Sequence, residues 1–212
     1  MKLVKGNKLV EIKIEKFKEL IKKFEKVVLD LGTGDGRFVY KKALENSKTL
    51  FIGIDPSEHQ LRIYSKKANR KKLGNALFVL GSFENMPKEL AAIADKVFII
   101  LPWGSLLEKI VKPTKEVIKK LKNLFKSESF LEIVLGYSQQ AEPAESTRLD
   151  LPKLTESYLR NEVIPVFEQN PALFRLDHLT SLKPKDVAAL ESSWGKTLQF
   201  SQKRPIYRIR FK

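Results

Sequence analysis

The stretch VLDLGTGDGRF, residues 28–38, decides the fold of this chain. An apolar run that reads as a buried strand ends in glycines at positions 32, 34 and 36, and a helical pattern follows directly. Glycine lets the backbone turn tightly and approach a ligand closely at the junction of a strand and a helix. The stretch therefore predicts an α/β fold with a nucleotide-cofactor site at the carboxyl end of this strand.

The rest of the chain extends this pattern of strands that alternate with helices. Uniformly apolar strands are typical of a parallel sheet that helices cover on both faces. We expect a mostly parallel seven-stranded sheet with an antiparallel last strand, preceded by an N-terminal β-hairpin that turns at Gly6-Asn7. The predicted strands are 27–31, 49–55, 75–82, 96–101, 130–136, 174–182 and 204–211, and the predicted helices include 14–24, 36–46, 57–72 and 151–164.

Length and composition favour a single domain. The 212 residues fit one α/β domain over 1–212, with the hairpin in 1–13 and loop insertions at 137–150, expected to be a mobile loop, and at 184–203, expected to contain a helix followed by a loop. The net charge of +15 predicts attraction to polyanions. The sequence has no cysteine, which excludes disulfides and thiol nucleophiles, and its apolar runs are too short to span a membrane. We expect a cytoplasmic monomer.

Acidic residues around the glycines indicate which cofactor binds. Asp30 and Asp35 flank the loop, where their negative charge would repel a pyrophosphate and attract an ammonium or sulfonium group. The glycine spacing is also GxGxG rather than the GxGxxG of dinucleotide-binding folds. Both features favour S-adenosylmethionine over NAD.

Two later strand ends support this cofactor. Asp55 ends the second strand, where a carboxylate can accept hydrogen bonds from both hydroxyls of a ribose. Glu84 follows the third strand, where an adenine ring is expected, and Phe83 beside it can supply an apolar face. The sequence therefore predicts a cofactor site that spreads across three strand ends.

Four motifs carry a resemblance to a known family. The segments DLGTGDGR (30–37), GIDP (53–56), LPWG (101–104) and SSWGK (192–196) resemble the aminoglycoside-resistance methyltransferases of the Kam/Npm type, which modify N1 of an adenine in the decoding site of 16S ribosomal RNA. The similarity covers nearly the whole chain. It implies a Rossmann-like class I S-adenosylmethionine-dependent methyltransferase that acts on the assembled 30S subunit and confers aminoglycoside resistance.

The resemblance also implies roles for individual residues. Trp103 and Trp194 match the tryptophans that sandwich the flipped target base, and Pro102 helps to position it. A base has to leave its helix before a methyl donor can reach its Watson–Crick edge, and stacking on aromatic rings offsets part of that cost. The residues implied to bind the cofactor are Asp30, Gly32, Thr33, Gly34, Asp35, Arg37, Asp55, Pro56, Phe83, Glu84, Leu101, Ser105 and Ser192.

The implied chemistry depends on orientation rather than on acid–base catalysis. N1 of neutral adenine carries a lone pair and no proton, so its attack on a sulfonium methyl group needs alignment and no general base. The sequence shows no Ser–His–Asp set, and His59 and His178 have no metal-ligand spacing. We therefore expect no catalytic acid or base and no metal.

Clusters of basic residues predict contacts with the RNA backbone. Basic residues cluster at 62–72, 109–126 and 195–212, and part of the middle cluster is interpreted as the solvent-exposed face of a helix. Thr197 and Gln202 depart from the family pattern, because the known members carry arginine at those positions. The resemblance implies RNA contacts for Lys66, Lys67, Arg70 and Lys71 in the first cluster and for Arg204 and Arg208 near the C-terminus. The neighbouring Lys196 and Lys203 are expected to substitute for the missing arginines.

The residues leave other functions open. The glycine loop is shared with the tRNA (guanine-N7) methyltransferases, although the further substrate motifs of that family are not found in this chain. A small-molecule methyltransferase would not need so large a positive charge. A non-catalytic RNA-binding or assembly factor on the same scaffold is disfavoured by the intact set of acids and glycines.

Overall fold

A nine-stranded sheet forms the centre of the protein. The computed structural model describes residues 1–169, 174–198 and 204–212, apart from the side chains of 127–129, 184, 194 and 198. The strands are β1 (Lys2–Lys5), β2 (Lys8–Glu11), β3 (Lys26–Leu31), β4 (Thr49–Asp55), β5 (Ala76–Leu80), β6 (Ala94–Ile100), β7 (Phe125–Gly136), β8 (Leu176–Ser181) and β9 (Ile206–Phe211).

The strand order is β2-β1-β5-β4-β3-β6-β7-β9-β8. The central strands β5, β4, β3, β6 and β7 are parallel. Strand β9 runs antiparallel to β7 and to β8, and the β1–β2 hairpin joins the same sheet through an antiparallel contact with β5. This topology confirms the predicted fold class, since the seven expected strands and the hairpin are all present.

Helices cover both faces of the parallel part. Within the described residues, no helix is long and apolar enough to cross a membrane. The helices are α1 (Ile14–Ile21), α2 (Arg37–Glu45), α3 (Glu58–Arg70), α4 (Gly104–Val111), α5 (Lys115–Lys122), α6 (Pro143–Arg148), α7 (Glu156–Tyr158), α8 (Ile164–Glu168), α9 (Pro184–Ala188) and α10 (Ser193–Leu198), with a 3₁₀ turn at Lys88–Leu90 and a π-helical segment at Leu159–Val163.

Alternation along each strand divides the core into two layers. In β3, Leu29 faces a layer that includes Phe17 of α1 and Phe167 of α8, whereas Val28 faces Val39 of α2. Because successive side chains of a strand point to opposite faces, a uniformly apolar strand has to be buried on both sides. The glycine loop that follows β3 is thus anchored by two hydrophobic layers.

Three predicted elements differ from the structure. The segment 137–150, expected to be a loop, contains α6, because Pro143 occupies the first turn of a helix, where a missing N–H costs nothing. The helix expected from 151 begins only at Glu156, because the Thr155 side chain accepts a hydrogen bond from the Tyr158 N–H and caps it there. Within 184–203, where one helix followed by a loop was expected, the two short helices α9 and α10 form.

A buried serine attaches the N-terminal hairpin to α3. The Ser65 hydroxyl accepts a hydrogen bond from the Gly6 N–H at 2.8 Å and donates one to the Val4 carbonyl at 2.7 Å. Gly6 adopts a φ of 63°, which suits glycine at a tight turn. The hairpin is therefore fixed beside the basic residues of α3.

We expect Ser65→Ala to lower the free energy of unfolding by about 1–3 kcal/mol, because it leaves a buried N–H and a buried carbonyl without their partner. Urea denaturation followed by circular dichroism measures this change. Ser157→Ala serves as the control, because Ser157 is exposed and its hydroxyl accepts a local hydrogen bond from Asn161. Equal stability of the two variants would contradict a bridging role for Ser65.

Candidate active site

Two adjoining cavities lie at the carboxyl ends of β3, β4 and β6. The first has a volume of about 330 Å³ and extends towards the β5 exit, and the second has a volume of about 530 Å³ and extends towards α10. Their shared wall consists of Gly32, Gly34, Asp55, Leu101 and Trp103. A molecule in one cavity would therefore contact a molecule in the other along this wall.

The glycine loop forms the floor between the cavities. Gly34 has a φ of 59°, and a Cβ atom built on it would meet no atom within 4 Å, so its backbone faces open space. Gly36 has a φ of 79°, and a Cβ there would lie 2.4 Å from a ring atom of Phe78. The first glycine leaves room for a ligand, and the second lets α2 begin close against β5.

Asp30 lies beneath this floor and does not line either cavity. Its carboxylate accepts a hydrogen bond from the Thr33 hydroxyl at 2.5 Å, and the residue is 3% exposed. Burial, together with the nearby charges of Asp55 and Asp35, raises the pKa of Asp30 to about 7, although the Thr33 hydrogen bond opposes the shift. A positive ligand group above the loop would favour the ionised carboxylate.

Asp55 projects into both cavities from the end of β4. One carboxylate oxygen accepts the Gly34 N–H at 2.9 Å, and the other accepts the Ser57 N–H at 2.8 Å. Partial burial raises the pKa of Asp55, and these two backbone hydrogen bonds oppose the rise. The carboxylate is thus held in place by backbone, and each oxygen keeps a lone pair for a ligand hydroxyl.

Glu84 and Phe83 line the first cavity at the β5 exit, together with Ser105 of α4. Burial raises the pKa of Glu84, but hydrogen bonds from its own backbone N–H, from Ser105 and from Ser82, with the charge of Lys109, outweigh burial and lower it. The Glu84 carboxylate stays ionised as an acceptor beside an apolar ring.

The turn after β6 presents Trp103 at the rim. Leu101 is buried and adopts a φ of 51°, a left-handed conformation that is unfavourable for a residue with a Cβ atom. Pro102 is buried behind it, and Gly104 continues the turn with a φ of 61°. As a result Trp103 is 44% exposed and borders both cavities instead of filling the core.

Helix α10 closes the second cavity. The Ser193 hydroxyl donates to the Asp35 carboxylate at 2.6 Å, and this contact joins α10 to the glycine loop across the chain. The Ser192 hydroxyl lines the same cavity and accepts the Gly195 N–H at 2.8 Å. The predicted base-binding residue Trp194 follows these serines directly in α10, and its side chain is outside the described residues.

Several predicted site residues are placed elsewhere. The Arg37 guanidinium lies outside both cavities and donates to the Tyr64 hydroxyl at 2.6 Å, because α2 turns it towards α3. The Arg204 side chain is mostly buried in an ion pair with Glu142. Arg208 lies on the sheet face, 3.2 Å from the Glu132 carboxylate. Neither arginine is presented as a free phosphate contact, and Lys203 lies outside the described residues.

The other basic residues are at the surface. Lys66, Arg70 and Lys71 are exposed at the end of α3, and the Lys67 ammonium lies 4.0 Å from the centre of the Tyr64 ring. Lys196 is exposed on α10.

Of the remaining predicted cofactor residues, Pro56 lines the first cavity and Thr33 lines the second.

Sequence reasoning missed several lining residues. Ser193 lies within the motif SSWGK, which could have indicated a role for it. Its hydrogen-bond partner Asp35 is 158 positions away, so the motif alone could not predict their contact. The remaining missed residues were not predicted as site residues, and they are Leu31, Ile54, Gln60, Gly81, Ser82, Met86, Ile100, Gly104, Leu106 and Thr197.

Comparison with known proteins identifies close relatives. The family model described as NpmA: 16S rRNA (adenine(1408)-N(1))-methyltransferase matches residues 2–212. A 16S rRNA (adenine(1408)-N(1))-methyltransferase from Escherichia coli is 38% identical over 213 residues, which is 99% of this chain and 97% of the relative. A tRNA (guanine-N(7)-)-methyltransferase from Campylobacter jejuni is 27% identical over 124 residues, covering 55% of this chain and 30% of that protein.

Solved structures show the same fold along the whole chain. The 30S ribosomal A1408 methyltransferase from an uncultured bacterium has a TM-score of 0.79 at 45% identity, with 100% of this chain and 99% of that chain covered. A mutant 16S rRNA (adenine(1408)-N(1))-methyltransferase with cosubstrate SAM, from Catenulisporales acidiphilia, has a TM-score of 0.84 at 25% identity, covering 100% and 96%.

The raised pKa of Asp30 predicts a pH-dependent stability. The carboxyl is protonated in the folded chain up to about pH 7 but ionises from about pH 3.8 in the unfolded chain, so stability falls as the pH rises between these values. In Asp30→Asn this contribution is absent. We expect the stability advantage of the wild type over Asp30→Asn to fall by about 3 kcal/mol from pH 5 to pH 8.

Urea denaturation at several pH values measures this difference. Thr33→Val is the companion variant, because it removes the hydrogen bond that holds down the Asp30 pKa and should move the transition to higher pH. If the free energy of unfolding depended on pH in the same way in wild type and Asp30→Asn, a raised pKa of Asp30 would be contradicted.

Proposed function

Because this chain belongs to the 16S rRNA (adenine(1408)-N(1))-methyltransferase family, we propose that it transfers a methyl group from S-adenosylmethionine to N1 of that adenine in the 30S subunit, which confers resistance to aminoglycosides. The resemblance read from the four motifs is confirmed. The tRNA (guanine-N7) alternative has only a partial match, to about half of the chain. The site of action, the small subunit, favours the cytoplasm, and the monomeric state stays a prediction.

The residues of the first cavity fit S-adenosylmethionine. That molecule supplies a methyl group activated on a sulfonium. Asp55 offers two fixed carboxylate oxygens for ribose hydroxyls, and the open backbone at Gly34 leaves space beside them. Phe83 and the ionised Glu84 offer a ring face and an acceptor at the far end. Asp30 beneath the loop favours a positive group above it.

The second cavity suits the flipped adenine. Trp103 borders both cavities, and this is the observation that carries the proposal, because it supports a base stacked beside the cofactor. By family resemblance, Trp194 of α10 stacks on the other face of the base. Ser193 and Asp35 support this arrangement, since their hydrogen bond holds α10 against the glycine loop.

The chain has to orient the reactants rather than to move protons. Adenine N1 attacks with its own lone pair, so alignment within a near-attack geometry supplies the main acceleration. The carboxylates around the loop also suit a reaction in which positive charge passes from sulfur to the base. Pro102 and the strained Leu101 make the turn that carries Trp103, which supports a positioning role for both.

The exposed cations of α3 support docking to RNA. Lys66, Arg70 and Lys71 are free of the core, and Ser65 holds the N-terminal hairpin beside them. Such residues contact phosphates and set orientation without reading sequence. We propose that α3 and the exposed Lys196 of α10 contact rRNA on either side of the cavities.

Modification mapping tests the proposed function. We expect purified protein with S-adenosylmethionine and 30S subunits to produce a primer-extension stop at the decoding-site adenine, because N1 methylation blocks base pairing. Guanine N7 methylation gives no such stop, so transfer of labelled methyl groups without a stop, or transfer to tRNA only, would contradict the proposal.

Removal of the Trp103 ring tests the shared wall. We expect Trp103→Ala to reduce methyl transfer by at least about tenfold, because stacking on one ring face contributes about 1–3 kcal/mol, while the dissociation constant of S-adenosylmethionine, measured by calorimetry, changes by less than about threefold. Trp103→Phe should restore part of the activity.

Partial activity of Trp103→Phe would show that an aromatic ring is needed at this position for stacking. Loss of cofactor binding or of the fold in Trp103→Ala would instead show that Trp103 has a structural role. By family resemblance, Trp194→Ala is expected to give the same separation between activity and cofactor binding.

A further inference from the structure

A second groove lies on the face of the sheet that carries α2, outside the two cavities of the active site. It has a volume of about 430 Å³ and runs from α2 across β3, β6 and β7 to β9, with Ala189 and Leu190 at one end. It shares only Ile100 with the active-site cavities. Nothing in the proposed reaction uses this groove.

The strand register builds an aromatic row along its floor. Lys96 pairs with Phe130, and Phe98 pairs with Glu132 two residues further on, so these four side chains share one face. The Phe98 ring lies 5.1 Å from that of Phe38 and 6.2 Å from that of Phe130, measured between centroids. Phe98 and Phe130 are both partly exposed, which leaves ring surface accessible from the groove.

Cations surround this row. The Lys96 ammonium and the Arg210 guanidinium lie 5.4 and 5.6 Å from the centre of the Phe130 ring. Arg210 is paired with the buried carboxylate of Glu132 at 2.8 Å, and Lys42 is paired with Glu191 at 2.8 Å. Within the described part of the chain, Lys26 and Lys96 form no ion pair, and both are exposed.

We propose that this groove binds an unpaired segment of RNA, with a base against the Phe98–Phe130 row and phosphates at Lys26 and Lys96. An aromatic platform with flanking cations binds nucleotides of any sequence, because every base has a ring face and every linkage a negative charge. An apolar protein segment would bury Lys26 and Lys96 without partners, and an acidic peptide would leave the rings unused. The assignment rests on the proposed function in that it gives the enzyme a second RNA contact.

A pair of charge-matched variants tests the groove. The probe is a fluorescent single-stranded RNA of about 12 nucleotides, whose dissociation constant is measured by anisotropy at several salt concentrations. We expect Lys26→Glu/Lys96→Glu to weaken binding at least about tenfold and to reduce the salt slope by about 1. The control is Lys16→Glu/Lys18→Glu, which changes the net charge equally at two exposed positions on α1.

The control helix packs on the other layer, since Phe17 between the two lysines belongs to the core on the opposite face of the sheet. Equal weakening by both double variants would show an effect of total charge and would overturn the proposal. Wild-type affinity in the groove variant would overturn it as well.

Photocross-linking gives a second readout, because it distinguishes RNA bound in the groove from RNA bound at the other basic clusters. We expect RNA that contains 4-thiouridine to cross-link to peptides with Phe98 or Phe130, and Phe130→Leu to reduce that adduct at least about threefold with an unchanged unfolding midpoint. Cross-links confined to α3 would overturn the proposal. If RNA gives no cross-link to these peptides while free AMP binds there and shields them from modification, the groove binds a free nucleotide and the RNA proposal is overturned.

The proposed methyl transfer and the proposed RNA binding in the groove can be contradicted independently of each other. Absence of the primer-extension stop together with groove cross-links would overturn the proposed methyl transfer and leave RNA binding in the groove. A normal stop with no groove cross-links would overturn the groove alone.

Discussion

The pairing of β3 with a parallel strand on each side is the constraint on which the site depends. Asp30 lies opposite Gly53 of β4 and opposite Phe98 of β6. Parallel strands end at the same edge of a sheet, so the glycine loop, Asp55 and Trp103 meet there although they are far apart in the sequence. A shift of one residue would exchange the side chains that face the two layers and would move Asp30 away from its position opposite Gly53.

The same register explains the buried acid under the loop. Gly53 has no side chain, and a Cβ atom on it would lie 2.7 Å from the Thr33 side chain. Its absence leaves space for Thr33, whose hydroxyl donates to Asp30. Burial among apolar strands raises the pKa of this carboxyl to about 7, and the Thr33 hydrogen bond limits the rise. The acid, the threonine and the glycine act as one unit.

The sheet and the cofactor cleft were predictable from the sequence because they follow from local patterns. Apolar runs identify the buried strands, and strand ends locate Asp55 and Glu84. The left-handed Leu101 was not predictable, since the residue before a proline normally prefers extended backbone. The link between Ser193 and Asp35 depends on where distant segments meet, which no local pattern encodes. The position of the Arg37 guanidinium was not predictable for the same reason, because its partner Tyr64 lies on another helix.

The basic residues show why net charge does not locate a binding surface. On α3 the apolar side chains pack inwards, so Lys66, Arg70 and Lys71 have to face solvent. On β9 the alternation of the strand instead turns Arg208 and Arg210 onto the partly open half of the sheet, where they neutralise Glu132. A carboxylate buried at that position would be costly without them. The +15 charge thus includes cations that are exposed to solvent and cations that pair with buried acids within the fold.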